Sequence, residues 1–151
     1  MTKPATPIAP SATRLTYLIK RVEMVERARM EEVLRPQGVS LHQYTALSIL
    51  ERRGGLSSAQ LARRHFVTPQ AANQLVALLE RDGLIERRPD PVNRKILQAW
   101  LTERGADVLE KCHQVVDELE EQMLAALTPA QAREFRRSLE RTLAALTGMN
   151  T

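Results

Sequence analysis

Two sets of side chains, close together in the chain, are suited to recognition chemistry. The first is Thr68, Gln70, Ala71, Asn73 and Gln74, within TPQAANQ. Side-chain amides donate and accept together, which suits the N6/N7 edge of adenine in a DNA major groove. The second is RRPDPVNRKI, from Arg87 to Ile96, which carries Arg87, Arg88, Asp90, Asn93, Arg94 and Lys95 around Pro89 and Pro91. A guanidinium on such a turn suits a narrow minor groove, where negative potential is focused, and Arg94 at the tip is the candidate. Arg87, Arg88 and Lys95 suit phosphate contacts, which position without reading sequence. The prolines stiffen the tip and reduce the entropy lost on docking. Asp90 has two candidate roles: accepting from backbone N–H groups of the turn, or pairing with Arg94 to aim it. An amide-rich helix face alone is equally well explained as plain solvated surface. The decision therefore rests on the elements that present both sets.

Periodicity and capping make those elements legible. Residues 1–12, with Pro at 4, 7 and 10 and no apolar period, read as a flexible tail. A helical stripe of Leu15, Leu18, Ile19, Val22, Val25, Val33 and Leu34 then runs to Arg35-Pro36. Ser40/Gln43, Ser57/Gln60 and Thr128/Gln131 each fit a capping box, in which the hydroxyl accepts a free backbone N–H and the Gln reaches back. Thr68-Pro69 is a cap followed by proline at the first helical position. Helices are predicted over 41–53, 58–64 and 69–81, then strands over about 84–88 and 95–101. The two prolines, Asp90 and Asn93 are expected to lie outside both strands. Thr102 caps a long helix to about Ala126, and a last helix covers 129–146.

A helix-turn-helix over 57–81 followed at once by a basic hairpin is the pattern of a winged helix. Its recognition helix fills the major groove while the hairpin overhangs the backbone and reaches the next minor groove. The long helix carries Leu109, Cys112, Val116, Leu119, Met123 and Leu127 at near-heptad spacing, and the last repeats the idea with Ala132, Phe135, Leu139, Leu143 and Leu146. Such stripes at both chain ends close either a bundle within one chain or, the reading preferred for a lobe this small, a dimer interface. The expected fold is mainly α with a small β-hairpin wing. It divides into a tail (1–12), an N-terminal dimerisation helix (13–40), a winged helix-turn-helix DNA-binding lobe (41–104) and C-terminal dimerisation helices (105–151).

The segment HFVTPQAANQLVALLERDGLIERRPDPVNRKILQAWLTERG resembles the core of the MarR family of dimeric winged-helix regulators. The family's Leu-Glu-x-x-Gly-Leu-Ile/Val-x-Arg appears as Leu79 to Arg87, its Asp-x-x-Asp-Arg-Arg wing as Asp90 to Lys95, and its Leu-Thr-x-x-Gly as Leu101 to Gly105. Asn93 stands in place of the usual second Asp, which turns any ion pair with the wing arginine into a neutral hydrogen bond. Lys95 stands in place of Arg, which keeps the charge and loses the planar fork. The resemblance covers about residues 13–147. It implies a homodimer on a pseudo-palindromic operator in double-stranded DNA, usually a repressor, released by a small aromatic or phenolic effector in a cleft between dimer helices and lobe. Tyr17, Arg21 and Tyr44 are candidates for that cleft, each set against an ordinary structural role.

Composition narrows the alternatives. Hydrophobic residues make up 43% of 151 and aromatics only 3%, so the core is Leu, Ala and Val. Net charge is +4, unevenly spread: residues 52–104 carry ten Arg/Lys against five acids, and 105–127 carry one Lys against six acids. The basic middle suits a polyanion. A single cysteine, no apolar run of membrane-spanning length and no secretory segment point to the cytoplasm and to no membrane. Cys112 on the apolar stripe reads as buried filler rather than a redox sensor, and His42, Cys112 and His113 have no metal-ligand spacing. No phosphate-binding loop, zinc motif or nucleophile elbow is present, so neither an enzyme nor a cofactor is expected. The remaining rival is a winged helix that docks another protein without binding DNA, for which the wing's basic residues have no use.

Overall fold

The computed structural model describes residues 13–148, so the expected tail at 1–12 lies outside the described residues. Helix α1 spans Leu15–Leu34 and runs into a 3-10 turn at Arg35–Gln37. Then follow α2 (Leu41–Arg52), α3 (Ser58–His65), α4 (Pro69–Arg81), β1 (Ile85–Pro89), β2 (Leu97–Leu101), α5 (Glu103–Leu124) and α6 (Pro129–Thr147).

The helix starts follow their local chemistry. All three capping boxes form, at Ser40/Gln43, Ser57/Gln60 and Thr128/Gln131, with each pair satisfying two otherwise orphaned donors. Thr68 accepts from the Ala71 N–H at 3.1 Å, with Pro69 in the first turn. The Thr102 hydroxyl accepts from the Gly105 N–H at 3.0 Å and donates to the Gly83 carbonyl at 2.6 Å. One side chain thus starts α5 and ties it to the turn after α4.

The strands pair antiparallel, with Ile85 opposite Leu101 and Pro89 opposite Leu97. Two expectations are corrected here. The second strand begins at Leu97 rather than 95, and Pro89 lies within β1 although Pro91 does not. Proline is tolerated at this strand end because its missing N–H leaves no inner ladder bond unmade. The following Asp90 N–H restores the pairing with a 2.8 Å bond to the Ile96 carbonyl. A bridge between Leu56 and Ala99 adds a short third pairing beside the hairpin.

Two apolar clusters hold the chain. One joins Leu47, Leu61, Val76, Leu79, Ile85 and Leu109 inside the winged lobe. The other joins Met30, Leu34, Val39, Cys112, Val116 and Leu119, where α1 lies on α5. Tyr44 and Val108 pack against both. At Gly105 the helix passes so close to the lobe that a Cβ would lie 1.9 Å from the Leu84 carbonyl oxygen. Trp100 makes the equivalent close approach on the outside: Cβ atoms on Gly54 or Gly55 would come within 2.6 Å of its ring.

The heptad-like stripe divides. Leu109, Cys112, Val116 and Leu119 are buried within the chain, while Met123 and Leu127 are exposed. The first half of α1 is open likewise, from Leu15 to Val25, and α6 buries none of its residues. The bundle within one chain is therefore only partly built. No helix of the described residues is long and apolar enough to cross a membrane.

Candidate nucleic-acid interface

Helix α4 has two distinct faces. Ala72, Val76 and Leu79 are buried, and this inner face fixes the helix against the lobe. Thr68, Gln70, Asn73 and Gln74 are exposed and Ala71 partly so, which leaves the amides free. The hydroxyl cap and the positive end of the helix lie at the start of that same face.

The wing tip is organised by Asp90. Its Oδ1 accepts from the N–H groups of Val92 and Asn93, both at 2.8 Å, and its Oδ2 accepts from the Gln98 amide at 2.6 Å. Of the two roles set out for Asp90, the structure shows the backbone clamp. Asn93 also turns inward: its Oδ1 accepts from the Lys95 N–H at 3.2 Å, not from Arg94. Arg94 and Lys95 are exposed and join none of the ion pairs among the described residues. The carboxylate shapes the turn that carries Arg94 rather than pairing with its guanidinium.

Arg87 and Arg88 have partners within the chain, which sequence reading did not reveal. The Arg87 guanidinium donates to both Glu80 oxygens, at 2.9 and 2.8 Å, a forked pair that ties the wing's base to the end of α4. That hydrogen bonding holds the Glu80 carboxyl below its ordinary value and raises Arg87 further. Arg88 pairs with Glu86 and lies 5.5 Å from the Trp100 ring centroid. A groove of about 350 Å³ runs between helix and wing, bordered by Ser57, Asn73, Arg87 and Lys95. The structure thus brings Asn73 of the first predicted set and Arg87 and Lys95 of the second to one groove.

The residues assigned to an effector cleft separate. The Arg21 guanidinium carbon lies 6.0 Å from the Tyr17 ring centroid on the open half of α1. Arg21 also borders an apolar cavity of about 340 Å³ with Leu18, Val22, Val25, Leu119 and Met123. Tyr44 belongs to another constellation: its hydroxyl is 3.0 Å from His113 Nδ1, and His113 Nε2 is 2.9 Å from Glu51. Glu51 only accepts, so the Nε2 proton of His113 points at it. Burial pushes the Tyr44 hydroxyl above its usual value. No local pattern reveals this chain, because its partners are 69 and 62 residues apart.

His42 Nδ1 and His65 Nε2 also meet, at 3.0 Å. Burial, and then the neighbouring His42, lowers the His65 pKa. Cys112 is fully buried and burial pushes its thiol pKa up, the opposite of a reactive thiolate. Among the described residues no three His, Cys, Asp or Glu side chains converge on a metal position.

Comparison with known proteins gives a consistent result. A family model described as the MarR family matches residues 37–96. The HTH-type transcriptional repressor Rv2887 of Mycobacterium tuberculosis is 39% identical over 127 residues, 84% of this chain and 91% of that protein. Its crystal structure in complex with DNA superimposes with a TM-score of 0.75 at 37% identity, covering 87% of this chain and 98% of that one. Its complex with salicylic acid gives a TM-score of 0.72 at 38% identity, covering 87% and 98%.

Proposed function

From the premise that this chain belongs to the MarR family of winged-helix transcriptional regulators, we propose how its own residues carry out that role. It is a DNA-binding regulator and not an enzyme. Its homodimer places two winged lobes on a pseudo-palindromic operator. Gln70, Asn73 and Gln74 read base edges in the major groove, with Thr68 and Ala71 at the phosphate-facing start of α4. Arg94 enters the adjacent minor groove. Asp90 and Asn93 hold the tip in shape, Arg87 and Arg88 brace its base, and Lys95 takes a phosphate.

The observation that carries this reading is the shared groove. Asn73 on the amide-bearing face of α4 and Arg87 and Lys95 of the wing border one channel, and Arg94 is exposed and joins no ion pair among the described residues. A neutral protein partner has no use for that arrangement, which sets the protein-docking alternative aside.

Residues 41–104 form the DNA-binding lobe in this reading, and 13–40 with 105–151 form the dimer. The exposed apolar residues of α1 and α6 support that division. The effector is a small aromatic or phenolic acid, the class to which the salicylic acid bound by the mycobacterial relative belongs. Its arrival at the open half of α1, beside Tyr17 and the cavity that Arg21 borders, releases the operator and relieves repression, with Tyr44 left in its own contact with His113. The protein works in the cytoplasm, where its DNA is.

The test is fluorescence anisotropy at about 0.15 M salt, where weak charge pairing is screened. The probe is a duplex that the protein itself selects from a random pool, with scrambled duplex as competitor. Arg94→Ala is expected to lower affinity about tenfold and to reduce the slope of log affinity against log salt by about one. Unchanged affinity and slope would sink the wing's assignment.

A further inference from the structure

One residue beside this interface is costly in two ways at once. Phe66, in the turn between α3 and α4, has φ of 54°, and among the described residues it is the sole non-glycine with positive φ. The other left-handed positions are all glycines: Gly38, Gly55, Gly83 and Gly148. A bulky side chain is strained there, and glycine is not. The same residue is 90% exposed, so its ring gains nothing from the core. Exposed aromatics occur singly on many surfaces, and strained residues occur in many turns. Strain and exposure on one side chain call for a contact made outside the chain.

Its position says which contact. Phe66 caps α3 and lies two residues before Thr68, the cap of α4. Chain geometry keeps its Cα within roughly 11 Å of the first residue of α4. Arg63 and Arg64, on the last turn of α3 beside it, are exposed. That setting suits a polyanion and repels a basic partner. DNA offers an aromatic ring two apolar edges at a groove margin, the thymine methyl and the deoxyribose.

We propose that Phe66 is a further DNA-contacting residue, whose ring packs on an apolar edge of the operator at the margin of the groove that α4 enters. This rests on the DNA-binding reading above. It extends the footprint from α4 back onto the turn. The contact neutralises no phosphate, so it adds affinity without adding salt dependence.

The substitution that tests it has an unusual advantage. Phe66→Gly relieves the backbone, so loss of folding does not confuse the result, and the thermal midpoint is expected to hold or rise. Affinity for the selected duplex is expected to fall roughly five- to tenfold, from lost ring burial, with the salt slope unchanged. Phe66→Asn, which also tolerates left-handed backbone but is less flexible than glycine, should lose as much. If Asn binds like the wild type while Gly does not, chain flexibility explains the loss and the proposal is overturned. If both variants bind like the wild type while Arg94→Ala is weakened, the DNA reading stands and this inference falls. If the wild type enriches no duplex at all, both fall. Deoxyuridine in place of thymine, position by position, then separates the two edges. A wild-type loss at one position that the variants do not share identifies the methyl, and no loss at any position identifies the sugar.

Discussion

In the winged lobe Leu47, Leu61 and Leu79 have no exposed surface, whereas on α6 Phe135, Leu139, Leu143 and Leu146 are 42%, 50%, 60% and 81% exposed. Both regions are built from amphipathic helices with capped starts, and by sequence pattern alone they look alike. The difference is closure. The lobe surrounds its stripe with α2, α3, α4, the hairpin and the first turns of α5, so its core is complete in one chain. The terminal helices offer their stripes outward, and an apolar face of that extent in water calls for a second copy. Reading DNA is thus a property of one chain's surface, while spacing two such surfaces is a property of the pair.

Four variants test that contrast, and the largest effect belongs to the seam between the regions. Gly105→Ala places a methyl against the Leu84 carbonyl and is expected to cost about 3 kcal/mol of stability through forced backbone movement. Urea unfolding measures it, and a value near zero would show that the close approach is not rigid. Leu139→Glu with Leu143→Glu is expected to weaken the dimer roughly a hundredfold. Sedimentation should then show monomers whose circular dichroism is unchanged, because neither residue is buried within the chain. A dimer of undiminished affinity would contradict the assignment of α6.

Asn73→Ala acts on the lobe alone. It should relax preference at one base position by about 1–3 kcal/mol and leave the dimer intact, as competition with single-base operator variants would reveal. The smallest effect concerns His65. Its folded pKa lies below its unfolded value near 6.5, because burial disfavours the cation. Its contribution is therefore fully present above about pH 6.5 and is lost as pH falls through the lowered folded value. A thermal midpoint that declines with acid in the wild type and less so in His65→Gln fits; parallel curves would remove the histidine pair from the account.

Much of this fold was readable because its rules are local. The capping boxes depend on residues three apart, and all of them formed. The exposed amides of α4 follow from helical period, and the wing follows from its turn chemistry. What escaped reading is non-local. Glu80 and Arg87 pair across the base of the wing, and Tyr44, His113 and Glu51 join α2 to α5 across more than sixty residues. Periodicity also cannot say where a stripe changes partners. The run from Leu109 to Leu127 is continuous in sequence, yet Leu109 packs inside the lobe, Cys112, Val116 and Leu119 pack on α1, and Met123 and Leu127 are exposed. Asp90 was open to two roles, and the backbone one holds: the N–H groups of Val92 and Asn93 take one oxygen, while the Gln98 amide, eight residues on, takes the other.

Trp100 is the only tryptophan in the chain, and it lies where the wing's second strand meets the Gly54–Gly55 bend, with a guanidinium near its ring. Indole emission is sensitive to nearby charge and to water. The molecule therefore contains a built-in optical gauge at the base of its wing, and any displacement of the hairpin against that bend can be followed in real time without attaching a dye.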